Sequence, residues 1–537
     1  MASDVRLYGA RRPRRRRGRG LLAVLAVVAA AALALAAGVV WWSGATLAQD
    51  SVALARVELQ PLAGSLESAK AFRPDGTRIP ISADGGRLVP RTLLAPGRTV
   101  SVVVVVRRPS WLGWALGHDR TERLTLKTPE ARLTDRWVTV PAGSPLRVKL
   151  TEPVAKLAYA HHVVPGRGGR VVSLGTQASS GTVEVATAAR TWERLGPPVR
   201  VTWFPKSQLP VILATPVPAR HIPPRTTIRL TFSQPLDKAL GDDQPRFSSQ
   251  VSGSWHAADS HTLVFTPKGY GFPFASHVRL ELPRAFAVST RTKTTATRAL
   301  DWNVAGASFL RLQQLLADTG YLPVSWAPTN DPVPRELTAQ LDAAVSPPAG
   351  DFSWRYPNTP PELQRLWAPG QPNEVTRGAV MMFEDEHHLE VDGLVGPRVW
   401  HALLEDALAG KQRTDGYSYV YVHRNVPQLL TLWHNGSVVL TSPGNTGVPV
   451  APTQLGTFPV FEHIPVGTMS GTNPNGSHYN DPGIRWISYF HGGEALHAFN
   501  RSSFGTPQSL GCVELPLAAA EKAWPYTPIG TLVTIED

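Results

Sequence analysis

The chain has 537 residues, a mass of 58.2 kDa and a net charge of +13, with 42% hydrophobic and 18% charged residues. This composition excludes a disordered chain, and at roughly 150 residues per domain we expect three or four globular domains. Eight arginines and one aspartate in residues 1–19 supply +7 of the charge. The remaining residues carry little net charge, so nucleic-acid binding is not expected.

An uncharged apolar stretch, residues 21–42, follows the arginines directly. About 20 apolar residues span a bilayer as a helix, and the arginines before it place the 1–20 tail in the cytoplasm. Thr46-Leu47-Ala48 is a poor cleavage site, so we expect a single-pass cell-membrane anchor, with signal-peptide cleavage as the alternative. The bulk of the chain is then extracytoplasmic, in the cell envelope, where the one cysteine has no internal disulfide partner.

Short runs rich in β-branched residues alternate with turn residues from Ser51 to Leu300. Residues 100–106 and 227–232 are the clearest of these runs, and their spacing predicts β-sandwich-like domains. We expect one β-domain, or two small ones, at 51–205. A second β-domain is expected at 209–300, and its segment 228–235 resembles bacterial Ig-like domains.

The pattern becomes helical at Ala307. Helices are predicted near 309–316, at 374–388 and from Val399, the last after a turn at 389–397. The Val-Asp-Gly-x-Val-Gly-Pro turn and the Trp-x-x-Leu helix resemble the three-helix peptidoglycan-binding domain. The resemblance implies a glycan-binding domain at 305–412 with a Pro- and Trp-rich insertion at 322–372, whose aromatic side chains either pack or line a groove. The acidic and histidine cluster 384–388 is expected to be a solvated helix face.

The β-pattern returns at 416–537, where an Asn435-Gly436 hairpin turn is predicted. His497 lies 15 residues before Cys512, the one cysteine. A cysteine nucleophile needs an imidazole to take its proton, but a unique buried thiol is equally a packing residue. Pro516 predicts a helix start, whose dipole would favour the thiolate of Cys512.

Four motifs in 416–537 resemble those of the L,D-transpeptidase (YkuD-type) catalytic domain, and they occur in the same order and at similar spacing. They are Asn445-Thr446-Gly447, Thr453-x-x-Gly456-Thr457-Phe458, His497, and Ser509-Leu510-Gly511-Cys512. The resemblance implies a mainly β multidomain chain ending in this fold, without metal or cofactor.

The resemblance also implies roles for individual residues. Cys512 would be the nucleophile, His497 its base, and the carbonyl of Ala498 would orient the imidazole. Amides around Gly511 and Cys512 would form an oxyanion hole. Ser509 and Leu510 would shape the site. Tyr489, Gly505 and Glu514 would contact the substrate.

Three positions depart from the family pattern: Leu510 replaces a histidine, Glu514 an arginine or asparagine, and Gln454 a proline. Leu510 removes a donor, and Glu514 would raise the pKa of the thiol if it faced Cys512. Gln454 is expected to affect only a turn.

The resemblance therefore implies an enzyme of cell-wall biogenesis and cell shape that crosslinks peptidoglycan stem tetrapeptides, with carbapenem β-lactams as inhibitors. Its partners would be stem peptides, glycan and the membrane. Two alternatives stay open: a cysteine peptidase or amidase acting on peptidoglycan, and a catalytically decayed wall-binding protein.

Overall fold

The computed structural model describes residues 18–290 and 293–537. Its first element is helix α1, Gly18–Trp42, which includes the predicted span 21–42. Residues Ala23–Trp42 have a mean hydropathy of 2.7 and are not buried against the protein, so the helix suits either a membrane span or a signal sequence. Residues 1–17 of the predicted 1–20 tail lie outside the described residues.

The chain forms two compact units. One contains the chain up to Leu213 with Ala287–Thr295, and the other contains Ala214–Phe286 and Ala296–Asp537.

The first unit is mostly antiparallel β-structure. Its elements are β1 Ala45–Gln49, β2 Ala55–Leu59, β3 Ser65–Phe72, β4 Arg78–Ile79, β5 Ile81–Asp84, β6 Arg87–Pro90, β7 Thr99–Arg107, α2 Ser110–Leu116, β8 Asp119–Lys127, β9 Trp137–Val140, β10 Pro145–Tyr159, β11 His162–Thr176, β12 Gly181–Ala188 and β13 Val199–Pro205. The sheet orders are β1-β2-β6-β5, β4-β3-β7-β8 and β11-β10-β12-β13-β9.

The β-branched run predicted at 100–106 forms β7, where alternate valines are buried. Val102, Val104 and Val106 are 0% exposed and join one hydrophobic core, whereas Leu146 and Val201 belong to a separate one. The region predicted as one β-domain or two small ones therefore has two cores, because its sheets bury their apolar faces in separate places.

A second set of strands follows between residues 211 and 304. These are β14 Val211–Thr215, β15 His221–Ile222, β16 Ile228–Phe232, β17 Arg246–Phe247, β18 Gly253–Asp259, β19 Thr262–Pro267, β20 His277–Ser289 and β21 Thr294–Val304, with a short helix α3 Leu236–Leu240. Their sheet order is β15-β21-β20-β14-β16-β19-β18. The alternation seen in the sequence is that of β16, whose Ile228, Leu230 and Phe232 are 0% exposed. The Ig-like assignment stays a prediction.

Helices lie where the sequence predicts three, with further elements between them. They are α4 Phe309–Asp318, β22 Val324–Pro328, α5 Leu337–Val345, β23 Gly350–Trp354, α6 Pro361–Arg365, α7 Glu374–Glu386 and α8 Pro397–Ala409. Local signals fix the ends of the last two helices. The Asn373 side chain accepts from Thr376 N at the start of α7, while Gly410, with φ 65°, ends α8 in the left-handed conformation.

The aromatic residues of the insertion pack against one another. The ring centroids of Trp326 and Phe352 are 5.0 Å apart, and those of Phe352 and Trp367 are 5.1 Å apart. These contacts fit the packing role, but Trp326 also lines a cavity of about 440 Å³, so both roles considered for these side chains stay open. The peptidoglycan-binding assignment of this region stays a prediction.

The cluster 384–388 is a solvated face only in part, because Asp385, Glu386 and His388 are exposed whereas Glu384 is buried. Glu384 is 0% exposed and accepts hydrogen bonds from Asp392 N (3.1 Å) and Gly393 N (2.8 Å). Burial raises the pKa of Glu384 to about 7. His387 Nε2 lies 2.8 Å from Asp406 Oδ2, because the turn and α8 fold back over the end of α7.

The C-terminal β-structure has two sheets. Its elements are β24 Ser418–His423, β25 Leu429–His434, β26 Ser437–Pro443, β27 Gly456–Pro459, β28 Glu462–Thr472, β29 His478–His491, β30 Glu494–Ala498, β31 Val513–Leu515, α9 Leu517–Ala523, a 3-10 turn Trp524–Tyr526 and β32 Leu532–Glu536. The orders are β26-β25-β24-β32-β27 and β28-β29-β30-β31. The Asn435-Gly436 turn joins β25 and β26 as predicted, with positive φ at both residues. Val420 of the first sheet and Leu496 of the second share one core.

The predicted domains 305–412 and 416–537 are not separated by a free linker. A single hydrophobic core takes residues from the helices and from β24, β25 and β32, among them Leu316, Phe383, Leu403, Tyr419, Trp433 and Leu532. Helix α7 comes closest at Gly378, where an added Cβ would lie 2.5 Å from Gly530 O. The helices therefore complete the fold of the C-terminal β-structure.

We expect Gly378→Leu to lower the thermal unfolding midpoint of the full chain, because overpacking at this contact should reduce the free energy of unfolding by about 1–3 kcal/mol. Gly396→Ala is the matched control, since nothing lies within 4 Å of its added Cβ. Equal midpoints for the two variants in a calorimetric scan would contradict this contact.

Candidate active site

The pairing of β30 with β31 brings the predicted nucleophile and base to one face of a sheet. The strands are parallel, and His497 pairs with Glu514. Cys512 immediately precedes β31, two residues before Glu514. Paired residues of neighbouring strands point to the same side, so His497 and Glu514 share one face. Cys512 packs with Ala495, which lies two residues before His497 on that face of β30.

The imidazole of His497 is buried, neutral and held in one orientation. It is 3% exposed, and its Nδ1 lies 2.9 Å from Ala498 O. A carbonyl oxygen only accepts, so Nδ1 carries the hydrogen and Nε2 keeps its lone pair for a proton. Burial lowers the pKa of His497 below its usual 6.5, which keeps the ring unprotonated at neutral pH.

Cys512 is a half-buried thiol in an apolar setting. It packs against the cluster of Ile484, Ile487 and Ala495, and its Sγ lies 3.7 Å from Gly493 O. Burial raises the pKa of Cys512 to about 11. The expectation of a helix dipole favouring the thiolate is wrong, because β31 separates the thiol from α9, and the dipole acts only within about a turn.

The loop before the thiol is shaped by Ser509 and Gly511. Ser509 Oγ donates to Cys512 O at 2.6 Å and accepts from Gly511 N at 3.3 Å. Gly511 has φ 113°, a conformation that favours glycine, and an added Cβ would lie 3.2 Å from Glu494 Oε1. Leu510 is 36% exposed, so its side chain is partly turned to solvent.

The Asn445-Thr446-Gly447 motif lies alongside this loop. Asn445 pairs with Glu514 and Gly447 with Ser509 as isolated bridges. Asn445 Oδ1 also accepts from Gly505 N at 3.0 Å. Gly505, predicted as a substrate contact, therefore lies in the loop that Asn445 holds.

Glu514 has a partner that sequence reasoning missed. Arg501 Nε and Nη2 donate to its two carboxylate oxygens at 2.8 and 2.6 Å. Glu514 is 4% exposed, and its charge raises the pKa of Cys512, although less than burial does. The sequence predicted that Glu514 would raise the pKa of Cys512, and the structure agrees, but Arg501 neutralises most of the Glu514 charge. A buried carboxylate without a cation is costly, so the sequence contained the signal to look for a basic partner.

Gln454 does more than shape a turn, so that expectation is wrong. Its backbone N lies 3.1 and 3.2 Å from the two carboxylate oxygens of Glu494, a donor that proline lacks. Glu494 also lies 3.3 Å from His491 Nδ1, and burial raises its pKa. Glu494 contributes a further increase to the pKa of Cys512, so the Gln454 position is linked to the site through this carboxylate.

Two tyrosines of β29 lie near the thiol, Tyr489 as predicted and Tyr479 unpredicted. Burial and then the charge of Cys512 raise the pKa of both hydroxyl groups. Tyr479 lies across from Gly471, where an added Cβ would meet the ring hydroxyl at 2.7 Å, so the missing side chain makes room for the ring.

A cavity of about 730 Å³ opens beside this sheet and is within the size range of ligand pockets. Its walls include Ala498 and Phe499 next to His497, Asp481 and Ile484 of β29, and Leu517. Neither Cys512 nor His497 lines this cavity. The site itself combines a neutral imidazole with a protonated thiol, a pair suited to acyl transfer through a thioester.

Residues 417–535 match the family model of the L,D-transpeptidase catalytic domain, YkuD. Residues 417–535 are an L,D-transpeptidase catalytic domain. The family match covers the C-terminal β-structure. A comparison with curated proteins found no match.

Solved structures similar to this chain include three L,D-transpeptidases, each with a TM-score of 0.21. One from Mycobacterium smegmatis is 12% identical, over 61% of this chain and 99% of that chain. The catalytic domain from E. faecium is 23% identical, over 22% and 95%. L,D-transpeptidase 3 from Mycobacterium tuberculosis, solved with a faropenem-derived adduct, is 11% identical over 60% and 97%.

The ionisation of the transpeptidase domain's site predicts its pH dependence. His497 must be neutral to take the thiol proton, and burial depresses its pKa from 6.5. Acylation of Cys512 should therefore be constant near neutral pH and fall only below about 6.5 as the imidazole gains a proton. Stopped-flow acylation between pH 4.5 and 9 measures this profile. An acid limb centred above 6.5 would contradict it, and His497→Gln should remove the limb.

Proposed function

We propose that the protein is a membrane-anchored, wall-facing L,D-transpeptidase that forms peptidoglycan crosslinks through an acyl-enzyme on Cys512. The observation that carries the proposal is the packing of Cys512 with Ala495, which lies on the same face of β30 as His497 inside the matched domain.

The family resemblance supplies the substrates of the proposed reaction, and the two side chains supply its proton transfers. His497 Nε2 takes the proton from Cys512 Sγ as the sulfur attacks the carbonyl after the third residue of a stem tetrapeptide. The imidazolium then returns a proton to the departing amine of D-alanine, and a thioester remains on Cys512. The side-chain amine of a neighbouring stem attacks that thioester, passes its proton through His497 and regenerates the thiol.

The other regions would support this chemistry. The helices at 305–412 would hold glycan strands and raise the local substrate concentration. Helix α1 would anchor the chain, and the β-domains would act as a spacer. Carbapenems would acylate Cys512, an expectation that comes from the family resemblance.

Product analysis tests the proposal against hydrolysis. The full chain is incubated with a tetrapeptide donor, with and without a second stem carrying a free side-chain amine. A crosslinked dimer that depends on the acceptor supports transpeptidation. A tripeptide acid in equal yield under both conditions would mean that water is the acceptor, as in an amidase or peptidase. Neither product, with an unmodified Cys512 in the intact mass, would mean a catalytically decayed protein.

A further inference from the structure

Helix α1 continues into the first β-domain without a flexible linker. Strand β1 begins at Ala45, three residues after Trp42. Leu62 N donates to Trp42 O at 2.9 Å, and Gln60 N donates to Gly44 O at 3.0 Å. The orientation of the β-domain is therefore coupled to that of the helix.

Arg108 joins this junction to the short helix α2. The side chain is 9% exposed, and its Nε donates to Ser43 Oγ at 3.0 Å. Its Nη1 donates to Leu116 O (2.5 Å) and Gly117 O (3.1 Å) at the end of α2. One buried guanidinium thus fixes α2 beside the last turn of α1.

Further contacts make the junction compact. Arg120 Nη1 donates to Val40 O, and its Nε lies 2.7 Å from Glu122 Oε1. A Cβ added at Gly44 would lie 2.7 Å from Arg120 Nε, so a side chain there would have to displace the Arg120–Glu122 ion pair. The β8 strand that follows α2 is therefore also tied to the end of α1.

Helix α2 exposes two tryptophans on one face. Trp111 and Trp114 are 59% and 83% exposed and lie three residues apart, whereas Leu112 is 6% exposed and packs inward. Tryptophans this exposed are unusual on a surface that faces only water. Trp41 and Trp42, at the neighbouring end of α1, are 68% and 54% exposed.

The length of α1 sets the level at which these four tryptophans lie. The 20 residues of Ala23–Trp42 rise about 30 Å, the thickness of a bilayer's hydrocarbon core. If α1 spans the membrane, Trp42 lies at the outer interface, and α2 lies at that level because Arg108 holds it to Ser43. Tryptophan is the side chain enriched in that layer.

We propose that α2 is a second membrane contact, in which Trp111 and Trp114 enter the outer headgroup layer of the bilayer that α1 crosses. The first β-domain then lies against the membrane surface with a fixed orientation. The proposal rests on the anchoring part of the proposed function and is independent of the chemistry at Cys512.

Site-specific quenching by lipid-borne quenchers tests the contact. The full chain in the Cys512→Ala background is labelled at one introduced cysteine with an environment-sensitive fluorophore and placed in nanodiscs containing doxyl-labelled lipid. Ala115→Cys reports on α2, Trp42→Cys on the end of α1, and Val163→Cys on an exposed position of another sheet in the same unit.

We expect the label at 115 to be quenched about twofold or more above the label at 163, and Trp111→Ser with Trp114→Ser to remove that excess. If the label at 42 is quenched but the label at 115 is quenched no more than the label at 163, the membrane contact of α2 is overturned and the α1 anchor is retained. Absence of quenching at both positions would overturn the anchor and the contact together. Transpeptidation is assayed on the unlabelled chain with Cys512 intact, so either result is separate from the enzymatic proposal.

Discussion

Cys512→Ala should abolish covalent modification of the protein by a carbapenem and reduce crosslink formation by a factor on the order of 10⁴ or more. No other cysteine exists in the chain to replace the nucleophile. Intact-mass spectrometry after incubation with the β-lactam measures the adduct directly. An adduct of equal yield on the alanine variant would place the reactive group elsewhere.

His497→Gln provides the graded comparison. Loss of a general base costs about 10²–10⁴-fold, and the thiol remains able to react once it ionises. We therefore expect slow adduct formation that recovers as the pH rises toward the raised pKa of Cys512, about 11. Unfolding midpoints of both variants should stay near that of the parent chain, and a large decrease would assign the lost activity to misfolding instead.

Arg501→Met should produce the second large effect, because it leaves Glu514 buried without its cation. Breaking a buried ion pair costs roughly 3–5 kcal/mol, and since Arg501 is 31% exposed we expect about 2–3 kcal/mol here. The uncompensated charge would also raise the pKa of Cys512 further and slow its acylation. Thermal unfolding and the pH dependence of Cys512 alkylation measure the two effects.

The double variant Arg501→Met with Glu514→Gln identifies the cause. Removing both charges should recover most of the stability and return the alkylation profile toward that of the parent. Arg365→Met is the control for loss of an arginine in a surface pair, since Arg365 is 64% exposed and lies 3.7 Å from Glu362, and it should cost below about 1 kcal/mol. A double variant no better than Arg501→Met would mean that Arg501 acts by packing on Phe499, whose ring lies 4.6 Å from its guanidinium.

The two positions that departed most from the family pattern near the thiol are now distinct in character. Leu510 is a partly exposed side chain beside the thiol loop, whereas Glu514 is half of a buried ion pair. Glu514 is therefore a charge that Arg501 compensates, rather than an unpaired charge next to the thiol.

Short contiguous patterns in the sequence were enough to predict several features of this protein. These are the apolar span, the alternation of β7 and β16, the Asn435-Gly436 turn and the motifs around His497 and Cys512. Each depends on neighbouring residues, because periodicity and turn chemistry act over a few positions along the chain.

Packing between distant segments sets which residues meet and how far each is removed from water, and local patterns do not contain that information. This packing paired Arg501 with Glu514 and the Gln454 amide with Glu494, and it buried Glu384 under the turn that follows α7. It also merged the helices and the C-terminal sheet into one core. Burial and ion pairing depend on packing between elements far apart in sequence, and for that reason the pKa of Cys512 is raised by its surroundings where the local helix signal predicted the opposite.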